Sequence, residues 1–109
     1  MASQFEMAAM AVVDLLRATS IKSGPVVPLR GTGPKIISAK VVGTGAVSAT
    51  VEIYGRAGDG GSNLLMTFTL SGTTSDNDAA ALEAPWPEIW ADLTAISGTG
   101  AAVTVTTGY

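Results

Sequence analysis

The residues able to do chemistry are few in this sequence. It contains no histidine and no cysteine. Disulfides, thiolate metal sites and the side chain that titrates nearest neutral pH are therefore absent, and catalysis would fall to carboxylates, lysine, tyrosine or hydroxyls. Glu83 with Glu88, or Glu88 with Asp92, could serve glycoside hydrolysis if something fixed their separation and raised one pKa. Nothing in the sequence does either, and they read as solvated loop and strand charges. Asp59 in GRAGDGGSN and the Asp76-Asn77-Asp78 triplet carry the oxygens that calcium prefers, but no loop has the spacing of a site that gathers six or more of them. Asp and Asn in such places stabilise turns through their own side chains. The string Gly-Thr-Gly-Ala, at Gly43 to Ala46 and again at Gly98 to Ala101, lacks the Lys-Ser/Thr of a phosphate loop and the third glycine of a dinucleotide fingerprint. Each copy also leads into a strand instead of a helix N-terminus. No catalytic residue, cofactor, metal or small-molecule substrate is expected, and the chain does not read as an enzyme.

Two tryptophans remain. Trp86 and Trp90 flank PWPEIW, and in a strand beginning at Glu88 the ring of Trp90 shares a face with Glu88 and Asp92, opposite Ile89, Ala91 and Leu93. Trp90 is thus a candidate interface anchor, because interfaces favour tryptophan, or a ring on which a sugar could stack. Trp86, held between Pro85 and Pro87, reads as a core plug at the strand entrance.

The elements that would position these residues are mostly strands. KIISAKVV, AVSATVEIY, LLMTFTLSGT, EIWADLTAI and AAVTVTTG are β-rich runs separated by glycine turns. In the second, Val47, Ala49, Val51 and Ile53 alternate with Ser48, Thr50, Glu52 and Tyr54. In the third, Leu64, Met66, Phe68 and Leu70 oppose Leu65, Thr67, Thr69 and Ser71. Both Gly-Thr-Gly strings read as hairpin turns, and SDNDAAALEAP as a polar loop leading into a short Ala-rich segment. Pro25, Pro28 and Pro34 reduce VVPLR to an edge strand or a crossing arm. About six or seven strands suffice for two packed antiparallel sheets.

The N-terminal region differs. In SQFEMAAMAVVDLLR, Ser3 and Glu6 form a capping box and Phe5, Ala9, Val12 and Leu16 fall on one stripe, which predicts a helix over 3–17. Met10 and Val13 add apolar surface off that stripe, so residues 1–23 read as an N-terminal docking arm or helix, with a single β-sandwich domain over 24–109. Phe5, Val12 and Leu16 are its candidate contacts. The apolar run here has no basic region before it and is too short to span a membrane.

Composition fits a protein that lives in a complex. Of its 109 residues 47% are hydrophobic and only 14% charged, against about 25% charged in an average soluble domain. The formal charge of −3 is also divided: all six basic residues lie in 1–56, net +3 there, and 57–109 carry only acidic charges, net −6. Either opposite faces of the molecule are complementary, or the halves interleave and the charges mix. The basic residues are too scattered for nucleic acid binding.

The runs GTGAVSATVEIYG, LLMTFTLSGTTSD and APWPEIWADLTAISGTGAAVTV resemble small virion proteins of tailed bacteriophages, a group that includes capsid decoration (cement) proteins and appendage components. The resemblance covers about residues 38–107. It implies an antiparallel β-sandwich or jelly-roll fold and a homo-oligomer, a trimer or dimer, that is made in the host cytoplasm. It implies further that this oligomer is seated on the major capsid protein at the capsid surface, with no nucleic acid or membrane partner. A tail or head-fibre component, or a glycan-binding module for host attachment, is the alternative.

Overall fold

The computed structural model describes residues 12–30 and 33–108. Nine strands follow one another, with no helix among the described residues: β1 (Val12–Ala18), β2 (Lys22–Ser23), β3 (Val27–Pro28), β4 (Lys35–Val42), β5 (Val47–Arg56), β6 (Asn63–Gly72), β7 (Ser75–Leu82), β8 (Glu88–Ser97) and β9 (Ala102–Gly108).

Their pairing is nested. The last strand lies against the first, β8 against β2 and β3, β7 against β4, and β6 against β5, all antiparallel. The chain is thus one long ribbon doubled back on itself, with its tip at the Ala57–Ser62 loop. Wrapping the ribbon brings β4 beside β9 and β5 beside β8. The result is a four-stranded sheet, β1-β9-β4-β7, facing a sheet in the order β2-β8-β5-β6 with β3 also on β8. This is a jelly roll.

Period-2 alternation supplies the core. Ile37, Ala39 and Val41 of β4 and Val103 and Val105 of β9 face Val47, Ala49, Val51 and Ile53 of β5, Phe68 and Leu70 of β6, and Ile89, Ala91 and Leu93 of β8. The intervening residues point outward and are mainly Thr, Ser, Ala and a few charges, as an antiparallel sheet with one solvated face requires. Trp86 packs against this core over Gly55, where a Cβ would stand 2.9 Å from the indole ring. It fills the plug role read from its flanking prolines.

Five expectations change. Val12–Ala18 is a strand, not part of a helix: paired with β9, it buries Leu15 and Leu16, and a bulge between Asp14 and Leu16 turns both leucines inward. Tertiary burial overrides the helical propensity of Ala, Met and Leu. Residues 3–11 of the expected helix lie outside the described residues. No domain boundary falls at residue 23, because β1 and β2 are built into the two sheets.

The Gly-Thr-Gly strings are not hairpins. Gly43-Thr44-Gly45 crosses from β4 in one sheet to β5 in the other, and Gly98-Thr99-Gly100 crosses back from β8 to β9. The arches sit side by side, with the Thr44 amide and hydroxyl both donating to the Thr99 carbonyl at 3.1 Å. Because β4 and β8 run the same way in opposite sheets, the sequence repeat corresponds to an approximate twofold axis parallel to the strands. SDNDAAAL, within the stretch expected as a polar loop leading into a short Ala-rich segment, is edge strand β7. In LLMTFTLSGT a bulge at Leu65 reverses the expected facing of the two leucines: Leu64 lies opposite Tyr54 and is 54% exposed, while Leu65 approaches Gly55.

Charges from the two halves of the sequence interleave. In the four-stranded sheet β4, with Lys35 and Lys40, pairs with β7, with Asp76 and Asp78, and Arg56 of the first half pairs with Glu88 of the second at 3.1 Å.

Candidate functional site

The outer face of the five-stranded sheet gathers the polar and aromatic chemistry. β8 presents Glu88, Trp90 and Asp92 outward, as alternation predicts, while Ile89, Ala91 and Leu93 are buried. Register then sets β5 beside it, with Arg56 opposite Glu88, Tyr54 opposite Trp90 and Glu52 opposite Asp92. The rings of Tyr54 and Trp90 stack with centroids 5.7 Å apart and planes 15° from parallel. The Arg56 guanidinium lies 5.6 Å from the Trp90 centroid and its Nε donates to Glu88 Oε1. Leu64 extends the cluster onto β6.

The carboxylates are held by this arrangement. Tyr54 Oη donates to Glu52 Oε1 at 2.7 Å. Directly opposed like charges in a sheet repel, and here one member of the Glu52/Asp92 pair is occupied by a phenol while Asp92 Oδ1 is shielded from solvent without a hydrogen-bond partner among the described residues. The hydrogen bond to Glu52 foremost, then burial and the charges of Glu52 and Asp92, raise the Tyr54 pKa above 10.0. The neutral phenol is therefore favoured by folding, and its contribution to stability is complete below the unfolded value of about 10 and is lost as the pH climbs past it. In an alkaline absorbance titration, Glu52→Gln should move the Tyr54 transition down toward 10; an unmoved transition would show that the phenol does not sense Glu52.

Chemically this face offers what a recognition surface needs: two stacked rings, a planar cation and acceptors on the outer side of one sheet. Among the described residues, no group of three or more metal-ligating side chains could hold a metal ion. Asp76 and Asp78, weighed above as calcium ligands, instead accept from the neighbouring amides of Asn77 and Ala79 at 2.9 and 2.8 Å.

The interface candidates do not converge. Trp90 is on the recognition face, half-buried. Val12 is 66% exposed on the outer side of the other sheet, opposite Gly108. Leu16 is no interface residue, since β9 and the core bury it to 3% exposure. Phe5 lies outside the described residues. Sequence reasoning missed Tyr54, Arg56 and Leu64 as members of the cluster. Alternation had already put Tyr54 on a polar outer face, and only the cross-strand register was needed to place it against Trp90.

No protein-family model matches the chain, and no curated protein does. Among solved structures, the chain is similar to the crystal structure of SPBc2 prophage-derived protein YomS, with a TM-score of 0.61 and 13% identity over 90% of both chains. The likeness is one of fold, and the jelly roll described here is shared with a prophage-derived protein.

Proposed function

We propose that the protein is a non-catalytic structural component of a phage particle, a decoration protein that binds the major capsid protein on the outer capsid surface and stabilises the head. The Tyr54/Trp90/Arg56 cluster carries this reading. Trp, Tyr and Arg are the side chains that dominate protein interfaces when clustered, and here they stand together on one sheet face beside Glu52, Glu88, Asp92 and Leu64. Many modest contacts repeated over a shell add up through multivalency. The fold shared with a prophage-derived protein supports the setting.

The test is occupancy on purified particles stripped of this protein. Trp90→Ala and Arg56→Ala should each lower occupancy by about tenfold or more, a loss of over 1.4 kcal/mol per site, with unfolding midpoints measured alongside to exclude misfolding. Unchanged occupancy in both folded variants would sink the anchoring role.

The Tyr54/Trp90 rings beside the part-exposed carboxylate of Glu88 favour one second reading, attachment to host glycans, in which a sugar face stacks on an aromatic ring while a hydroxyl donates to that carboxylate. A glycan array separates the two: binding by the intact protein that disappears in Trp90→Ala supports attachment, and a blank array supports capsid docking.

A further inference from the structure

A β-sandwich has four free strand edges, and natural proteins blunt them to prevent pairing with other chains. Three of the four are blunted here. On β7 the outward amides of Asn77 and Ala79 are capped by the carboxylates of Asp76 and Asp78. β1 carries a bulge at Leu15 and an exposed Asp14–Arg17 ion pair. The β2/β3 edge consists of two-residue strands separated by Pro25 and ended by Pro28.

β6 is different. Its ten residues, NLLMTFTLSG, hold no charge and no proline, and its own bulge at Leu65 leaves the stretch from Met66 to Leu70 regular. The Ser71 amide donates to Asp76 Oδ2, so it points away from β5; by the two-residue period the amides and carbonyls of Thr69 and Thr67 do the same. The Thr50 carbonyl accepts from Thr94 of β8, which agrees: Thr50, opposite Thr69, directs its main chain away from β6. Among the described residues no strand other than β5 pairs with β6.

We infer that β6 is a self-association edge, at which a second copy of this chain adds its own β6 antiparallel about a twofold axis at Phe68. In that register Thr67 of one copy faces Thr69 of the other, and each pair exchanges both main-chain hydrogen bonds, leaving Ser71 to its Asp76 cap. The occupant is a second copy because a neutral strand meets itself without like-charge repulsion although the chain carries −3 overall, and because Thr opposite Thr is a favourable cross-strand pair. The five-stranded sheets of two copies would fuse into one surface. It would carry two Tyr54/Trp90 clusters, their β5 strands three inter-strand steps or roughly 14 Å apart. The inference does not depend on what those clusters bind.

A strand edge covers less than the roughly 800 Å² per partner of a stable interface, so the dimer is weak, with a dissociation constant of about 10 to 100 µM. Sedimentation of the full chain should shift from monomer to dimer mass across that range, and hydrogen exchange at the Thr67 and Thr69 amides should slow as concentration rises while exchange at Asn77 and Ala79 does not. Thr69→Lys adds charge at the twofold, and Thr69→Pro removes an amide that bonds nothing within the described chain; both should raise the dissociation constant at least about tenfold. A monomer at all concentrations, or a dimer whose Thr67 and Thr69 amides exchange as freely as in the monomer, would overturn the inference. The exchange measurement on the unaltered chain decides it even if a variant misfolds.

Discussion

Replacing Gly98 with alanine should destabilise the protein by about 3 kcal/mol, a fall in the unfolding midpoint of more than about 10 °C. Two effects coincide at this arch. Its φ of 117° lies where side-chain-bearing residues rarely go, and a Cβ there would stand 2.6 Å from the Ala46 carbonyl and 2.9 Å from Val47. The neighbouring arch cannot yield, because Thr44 is bonded to Thr99 from the other side. Gly45 in the companion repeat is the control. It has no positive φ and nothing within 4 Å of an added Cβ, so Gly45→Ala should be neutral or stabilising by up to about 1 kcal/mol. Urea unfolding of the two variants tests whether the repeats are constrained by their positions or merely by their glycines. Equal effects would refute the positional account.

The second large effect concerns β1. A chain that begins at Thr19 should fail to fold. It loses Leu15 and Leu16 from the core and uncovers Val103 and Val105 of β9 along a full strand. Each buried leucine is worth about 2 to 5 kcal/mol, so the pair alone approaches the 5 to 15 kcal/mol that holds a typical domain together. Leu15→Ala should cost about 3 kcal/mol by itself, whereas Val12→Ser, at a 66% exposed position, should cost under about 0.5 kcal/mol. A folded, cooperative protein lacking β1, seen by circular dichroism and thermal melting, would mean that the strand is an appendage to the sandwich and no part of it.

These contrasts mark what could be read in advance. The five strands with clean alternation were legible because burial on one face writes a period of two into the residues themselves: β4 was found at its observed limits, Lys35–Val42. β7 was not legible, since Ser, Asp, Asn and Ala are poor strand formers and an edge position demands little apolar surface of them. β1 was hidden for the opposite reason, its leucines and the alanines and methionines before it being better helix formers than strand formers. The arches were found as turns but assigned to hairpins, because Gly-Thr-Gly chemistry is local, whereas the sheet to which the next strand goes is decided by β9 and β8 some 50 residues away. The recognition face was half legible for the same reason. Glu88, Trp90 and Asp92 follow from one strand's period, while Tyr54, Arg56 and Glu52 join them through a register that no short window contains.

The nested pairing also governs when the molecule can form. The β5–β6 hairpin has all its residues early and closes over a short loop, but β4 must wait for β7, β2 and β3 for β8, and β1 for the final strand. Closing pairs so distant in sequence is slow. On a ribosome, Leu15 and Leu16 therefore stay exposed until Val105 has emerged, and the first strand of the fold is among the last to become native. Closure of the jelly roll consequently waits on β9, and until that strand is made the nascent chain must keep a sticky strand out of trouble.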